Sequence, residues 1–200
     1  MRSVGVDDEW AGLLGRAQAG DERAFAAIWR HHQPGLLRYL EIVAGRHVAE
    51  DLAAETWVSV VRSLPRFRGG ESGFKSFLFT TARSRVVDGA RRAKARPQVA
   101  SDIDTLADLA PAAEPAEAGA ALEQREATKA ALDLIARLPE GQAEVVALRV
   151  VGGLDNSEVA RITGKRSGAV RVAYSRGIAA LAAMVGDRDG VTDAHLRAFR

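Results

Sequence analysis

The chain has 200 residues, no cysteine and a formal net charge of +2. This length accommodates one domain or two small ones, and the absence of cysteine excludes disulfides, cysteine-ligated metal centres and a cysteine nucleophile. No apolar run approaches the roughly 18 uncharged residues of a membrane span. The opening MRSVGVDDEW has no apolar signal-peptide core, so we expect a cytoplasmic protein without membrane insertion.

The first half of the chain has the apolar spacing of helices separated by short breaks. A helix is predicted after Asp21, and Pro34 with Gly35 can kink or interrupt it. The next helix is predicted over about 49–64, and Pro65 ends it. We therefore expect the first part of the chain to be a small helical domain.

The character of the sequence changes after a glycine-rich basic loop at 66–73 and a predicted helix over about 74–95. Three of the six prolines lie between 97 and 120, among Ala, Asp and Glu and without an aromatic residue. This composition is typical of a flexible linker. Helical spacing then returns, with no strand alternation, so the sequence predicts an all-α fold. The predicted divisions are two small helical domains at 1–96 and 121–185, an acidic linker at 97–120 and a tail at 186–200.

The small net charge is the sum of three segments whose charges alternate in sign. Residues 62–96 carry ten cations against two acids, a net charge of +8. Residues 97–123 carry six acids and no cation, and residues 159–185 carry five cations and no acid. Two basic segments separated by an acidic one favour two separate contacts with a polyanion over a pair of solvated helix faces.

The segment LDNSEVARITGKRSGAVRVAYSRG predicts a helix-turn-helix. Ala160 lets the two helices approach, Gly164 takes the positive φ of the turn, and Val170 packs the second helix on the first. Asp155 and Glu158 are placed to form a capping box. The start of the second helix then faces the major groove of DNA. An ordinary helical hairpin with surface arginines is the alternative.

The segment AEDLAAETWVSVVRSLPRFRGGESGFKSFLFTTARSRVVDGARR resembles the signature of the sigma-70 family, extracytoplasmic-function (ECF) group. The similarity runs from about 25 to 96 and resumes from about 122 to 181, with the linker between. The resemblance implies an RNA polymerase sigma factor, with a region 2 domain that melts the promoter and a region 4 domain that recognises duplex DNA. The sequence has no HExxH, Walker or GxSxG motif, so we expect no enzyme activity, no cofactor and no metal.

The resemblance assigns three sets of site residues. In the family the AEDL–ET helix docks on the β′ clamp of core polymerase, and the β flap is the second expected polymerase contact. The predicted polymerase-binding residues are Glu50, Asp51, Leu52, Glu55 and Trp57, with Trp57 mostly in the core. The predicted minus-ten residues are Arg66, Phe67, Arg68, Lys75, Arg83, Arg85, Arg91 and Arg92. The predicted minus-thirty-five residues are Lys165, Arg166, Ser167, Gly168, Ala169, Arg171, Val172, Ser175 and Arg176.

Among the aromatic residues near the minus-ten loop, Phe67 is the expected base-stacking residue, because its glycine-rich neighbours give it little cover. The chain also departs from the family pattern, since Val170–Ala173 replaces VKSR and lacks one phosphate-contacting arginine. Ala54, Phe77 and Ser84 replace the usual Gln, Trp and Asn.

The resemblance also implies promoter DNA and an anti-sigma factor as partners. The histidines have no recognised metal spacing, and the His31–His32 pair is expected on a helix surface. The alternative function is a stand-alone helix-turn-helix repressor or activator, which would bind its duplex unaided.

Overall fold

The computed structural model describes residues 4–95 and 115–186, and these residues form eight α-helices and one 3-10 turn without a strand. The predicted all-α class is confirmed. The helices are α1 (Val4–Gln18), α2 (Glu22–Ala44), α3 (Arg46–Ser63), α4 (Glu71–Ala95), α5 (Pro115–Ala136), α6 (Glu140–Val150), α7 (Asn156–Thr163) and α8 (Ser167–Gly186), and the 3-10 turn is Leu64–Arg66.

The first domain consists of α1 to α4, and α2 packs against each of the other three helices. The Asp21 carboxylate caps this helix by accepting the backbone N–H groups of Arg23 and Ala24 at 2.9 and 3.1 Å. Pro34 does not interrupt the helix. Ile28 before it and Leu36 after it are both fully buried, so packing holds the two halves on one axis despite the lost hydrogen bond.

The second domain consists of α5 to α8, with α6 at its centre. Val145, Val146, Ala147 and Leu148 are consecutive and all fully buried, which shows that α6 is covered on every side over this turn. Gly177 of α8 makes the closest approach to it, because a Cβ there would lie 2.7 Å from Val146 Cγ2. The absence of a side chain at Gly177 therefore allows α8 to pack closely on α6.

The predicted linker and the predicted tail lie largely outside the described residues. α5 begins at Pro115, inside the segment predicted to be linker. Residues 97–114 of that segment, and the predicted tail beyond Gly186, lie outside the described residues.

The two domains contact each other directly. Helix α2 packs against α5 and α6, and α4 packs against α7. Two ion pairs cross this boundary, Arg46 with Asp133 at 2.9 Å and Arg83 with Glu144 at 2.7 Å. The packing of the domains thus involves Arg83, a residue of the basic helix α4.

Candidate nucleic-acid and polymerase interface

The segment α7–turn–α8 has the geometry of a helix-turn-helix. Asp155 and Glu158 form the predicted capping box at the start of α7. Gly164 ends the helix in the left-handed region at φ 69°, a conformation that glycine adopts without a Cβ clash. Val170 is fully buried, so the second helix is locked onto the first. The local prediction is confirmed in each of these details.

The start of α8 presents its polar and small residues outward. Lys165 in the turn before α8 is half-buried, and the other predicted minus-thirty-five residues are exposed. Among the described residues, none of the four cations in this set takes part in an ion pair. The exposed members are Arg166, Ser167, Gly168, Ala169, Arg171, Val172, Ser175 and Arg176.

Helix α8 is also the one described helix that is long and apolar enough to cross a membrane. It carries Arg171 and Arg176 in its first half and packs against α5, α6 and α7 through its other side.

The loop after α3 is held by a side chain from the start of the protein. The amide of Gln18 donates to the carbonyl oxygens of Leu64 and Phe67 at 2.9 and 2.8 Å. The Arg68 guanidinium donates to the carbonyls of Pro65 and Phe67 at 3.1 and 2.8 Å. The loop backbone is thus fixed by two side chains. Sequence reasoning missed Gln18, since nothing local marks a contact 46 residues away.

Phe67 is not the free stacking platform that was expected. Its ring is half-buried, stacks on Phe77 at a centroid distance of 5.5 Å and meets Phe74 edge-on at 5.6 Å. One side of Phe67 still borders an open cavity of about 350 Å³. The lining residues of this cavity are Arg62, Ser63, Arg66, Phe67 and Phe77.

The cations of α4 contact other protein groups. Lys75 pairs with Glu71 at 2.8 Å, and Arg85 donates to the Ser59 hydroxyl at 2.6 Å. Arg83 pairs with Glu144 of the second domain. At the end of the helix the contacts are longer, with Arg91 at 3.8 Å from Asp88 and Arg92 at 3.7 Å from Glu55.

The predicted polymerase-binding set is split by burial. Leu52 and Trp57 lie in the core at 8% and 6% exposure, and the Trp57 indole donates to Gln33 Oε1 at 2.6 Å. Leu52 and Trp57 therefore offer little surface to a partner, as was expected for Trp57, whereas Leu52 was predicted as a contact and lies in the core. Glu50, Asp51 and Glu55 are exposed on α3. Two exposed valines, Val58 at 50% and Val61 at 47%, extend the same helix toward its C-terminus.

The adjacent histidines have different environments. His31 is exposed, whereas His32 is buried at 6% exposure between the Trp10 and Phe74 rings. The expectation of a surface pair is wrong for His32. Burial, with His31 and Lys75 nearby, lowers the pKa of His32 to about 4. Possible donor atoms of His31, His32 and Glu71 lie within 4.8 Å of one another, and Lys75 already neutralises the Glu71 carboxylate.

These features define an all-α protein of two domains, with a helix-turn-helix in the second and a basic loop and helix in the first. Residues 28–96 match the model of Sigma-70 region 2, and residues 128–181 match Sigma-70, region 4. The chain belongs to the sigma-70 family and is an ECF-type RNA polymerase sigma factor for transcription initiation.

Curated relatives support the same family over most of the chain. ECF RNA polymerase sigma factor ShbA of Streptomyces griseus subsp. griseus is 36% identical over 179 residues, covering 86% of this chain and 93% of ShbA. ECF RNA polymerase sigma factor SigD of Mycobacterium tuberculosis is 32% identical over 176 residues, covering 83% of this chain and 79% of SigD.

A solved structure has the same fold. CnrH, in complex with the cytosolic domain of CnrY, is 21% identical, with a TM-score of 0.57 over 88% of this chain and 97% of the CnrH chain. At this identity the likeness concerns the arrangement of the helices.

Proposed function

We propose that the two basic surfaces divide promoter recognition between them. The start of α8 binds the minus-thirty-five element as duplex, and the loop at 66–68 with the cations of α4 binds the minus-ten element as melted single strand. The protein acts as an initiation factor rather than as a catalyst, at the cytoplasmic polymerase.

The observation that carries this proposal is the outward face of the recognition helix. Its small residues, Gly168 and Ala169, leave room for a groove wall, while Arg171 lies one position beyond the buried Val170. An exposed arginine that is not committed to a protein acid is free to make a bidentate guanine or phosphate contact. The same helix is anchored on its other side, so its approach angle is fixed.

The minus-ten assignment rests on the cavity beside Phe67. An open site with two arginines and two phenylalanine rings, Arg62, Arg66, Phe67 and Phe77, offers both charge for a phosphate and apolar walls for an extruded base. Phe67 serves here as a wall held by Phe77 rather than as an isolated platform. The Gln18 and Arg68 hydrogen bonds keep that wall in place.

For the polymerase we propose a docking face on α3 made by Glu50, Asp51 and Glu55, with Val58 and Val61 as its apolar extension. Mixed acidic and apolar groups suit a partner that presents arginine and aliphatic side chains. The face is proposed for the β′ clamp, the second domain is proposed to meet the β flap, and an anti-sigma factor is proposed to cover these surfaces.

The test is transcription in vitro with core polymerase, with and without this protein, on a library of genomic promoter fragments. We expect new start sites that require the protein. Binding of the free protein to duplex DNA, with repression and no added initiation, would instead support a stand-alone repressor.

A second measurement separates melting from binding. Arg66→Ala is expected to reduce opening of a selected promoter, read by 2-aminopurine fluorescence, while binding to core polymerase is unchanged. Arg30→Ala, an exposed arginine of α2, is the matched control. Equal loss of opening in both variants would contradict the minus-ten assignment.

A further inference from the structure

Two histidines and one carboxylate lie together where α2 meets the start of α4. His31 and His32 are adjacent on α2, and Glu71 is the first residue of α4. The His31 Nε2 atom lies 3.5 Å from Glu71 Oε1, and possible donor atoms of the three residues all lie within 4.8 Å of one another. Because these residues come from two helices, no local spacing in the sequence marks them as a set.

His32 has a buried polar atom without a hydrogen-bond partner. The residue is 6% exposed, the rings of Trp10 and Phe74 pack against it, and its Nε2 atom meets no partner among the described residues. Leaving a buried nitrogen unpaired is destabilising, and a bound ion or water is one of the few ways to satisfy such an atom. The buried histidine of the cluster therefore has a nitrogen available for a ligand.

An open cavity of about 320 Å³ gives access to this cluster from solvent. Its walls include Glu9 and Trp10 of α1 together with His31 and Glu71. The indole N–H of Trp10 is also buried, and it has no acceptor within the part of the chain that the structure describes. An ion from solution can thus reach the two histidines and the carboxylate without opening the core of the first domain.

The donor atoms of the cluster favour one class of metal. Imidazole nitrogen is a ligand of Zn²⁺, Ni²⁺ and Cu²⁺, whereas Mg²⁺ and Ca²⁺ prefer oxygen. Two histidines and one glutamate are a known ligand set for zinc that leaves a fourth position open. Neighbouring ligand atoms on tetrahedral zinc lie about 3.3 Å apart, close to the 3.5 Å between His31 and Glu71. The longer separations can close by rotation of these two side chains, which are 64% and 27% exposed.

Lys75 is the group that a metal ion has to displace. Its Nζ atom lies 2.8 Å from Glu71 Oε1, the oxygen that His31 also approaches. The lysine side chain is 32% exposed, so the pair contributes little and the flexible lysine can turn toward solvent. Its positive charge nevertheless opposes a divalent ion at the same carboxylate. We therefore expect Lys75 to reduce the affinity of the cluster for metal without abolishing it.

We propose that the first domain contains a binding site for a Zn²⁺-class metal ion, with His31, His32 and Glu71 as ligands and a water on the cavity side as the fourth. The metal joins α2 to the first turn of α4, directly after the basic loop, and Lys75 leaves the carboxylate when the metal enters. The bound water is the acceptor that the Trp10 indole lacks. This site does not depend on the proposed promoter contacts.

Metal binding is tested with the untagged full chain after treatment with a chelator that is then removed. Co²⁺ is the spectroscopic probe, because its visible absorption reports the coordination number and the chain has no cysteine to add a thiolate band. We expect one Co²⁺ per chain with the spectrum of a four-coordinate site, and its displacement by one equivalent of Zn²⁺. Zn²⁺ is also expected to raise the temperature of unfolding in a concentration-dependent manner.

Titration calorimetry with Zn²⁺ tests the ligands one by one. We expect His31→Gln and Glu71→Gln each to weaken binding by at least about tenfold, since even an outer-shell partner of a metal ligand has an effect of that size. His47→Gln removes an exposed histidine from α3 and is the matched control, with unchanged affinity. Lys75→Met is expected to bind Zn²⁺ about twofold to fivefold more tightly, which corresponds to the loss of one partly exposed charge.

The proposal is overturned if the unaltered chain shows no saturable binding or only a six-coordinate Co²⁺ spectrum. Equal affinities of His31→Gln and His47→Gln would overturn it as well, because binding would then not involve this cluster. Weaker binding in Lys75→Met would contradict the predicted displacement of the lysine. Since His31 is exposed, its substitution leaves the core intact, and circular dichroism of each variant confirms that the chain is folded.

Discussion

The two basic surfaces of this sigma factor differ in how their cations are held. On the first domain, six of the seven predicted cations contact another protein group: Arg68, Lys75, Arg83, Arg85, Arg91 and Arg92. On the start of α8, the cations make no ion pair among the described residues. Under the proposed division of promoter recognition, the second surface is preformed for a rigid duplex, whereas the first exchanges internal contacts for those of a flexible strand.

The largest expected effect comes from disrupting the packing of α8 on α6, which positions the basic surface at the start of α8. Gly177→Ala places a methyl group 2.7 Å from Val146 Cγ2 in a fully packed site, so we expect the free energy of unfolding to fall by about 2 to 3 kcal/mol. Urea unfolding followed by circular dichroism measures this change. In Gly168→Ala the new Cβ meets no atom within 4 Å, and equal destabilisation by both substitutions would show that α8 is not fixed by this contact.

The next effect concerns the exposed arginines at the start of α8. Arg171→Ala is expected to weaken binding of the polymerase complex to a selected promoter by about tenfold to thirtyfold, the range of one good base or phosphate contact. Fluorescence anisotropy at one stated salt concentration measures it. Arg125→Ala is the control, because it removes an exposed arginine from α5 of the same domain. A similar loss of promoter binding in that variant would mean that binding depends on the net charge of the domain and not on a contact made by Arg171.

Acid is expected to affect the first domain through a buried group. The pKa of His32 is lowered to about 4 from 6.5, so between these values the unfolded chain binds more protons than the folded one. Stability is therefore present above pH 6.5 and is lost as the pH falls toward 4. From pH 7 to pH 5.5 we expect the titration of His32 to lower the free energy of unfolding by about 1 kcal/mol.

Tryptophan fluorescence is a suitable readout, because Trp10 contacts the His32 ring. The loss on acidification is expected to disappear in His32→Gln and to persist in the exposed variant His31→Gln. An unchanged pH dependence in His32→Gln would assign the effect to other groups.

The smallest expected effect is at the end of α4. Arg92 lies 3.7 Å from Glu55 with both side chains exposed, so Arg92→Ala is expected to change the free energy of unfolding by less than about 0.5 kcal/mol. Urea unfolding of Arg92→Ala measures this change, with Arg91→Ala measured in parallel for comparison. A loss well above that size would mean that the contacts of the first surface are structural rather than exchangeable.

Patterns that lie within one segment were predictable from the sequence. The all-α class, the end of α3 near Pro65, and the capping box with its left-handed Gly164 depend on neighbours in the chain. The continuous helix through Pro34 was not predictable, because it is held by burial of Ile28 and Leu36 in tertiary packing.

Within the candidate site, exposure along one helix was predictable, but contacts between elements were not. Exposure of Arg171 and burial of Val170 followed from helical spacing. The burial of Leu52, the stacking of Phe67 on Phe77 and the pairing of Arg83 with Glu144 depend on which elements meet in three dimensions. Periodicity in one segment contains no information about such partners.

The hydrogen bonds from Gln18 to the loop after α3 have a consequence for how this loop can change in sequence. The amide binds the backbone carbonyls of Leu64 and Phe67, which every amino acid supplies. Side chains in the loop are therefore free to change while the path of the loop is retained. Under the proposed minus-ten assignment, a new promoter preference can arise by substitution in the loop while its hydrogen bonds to Gln18 are kept.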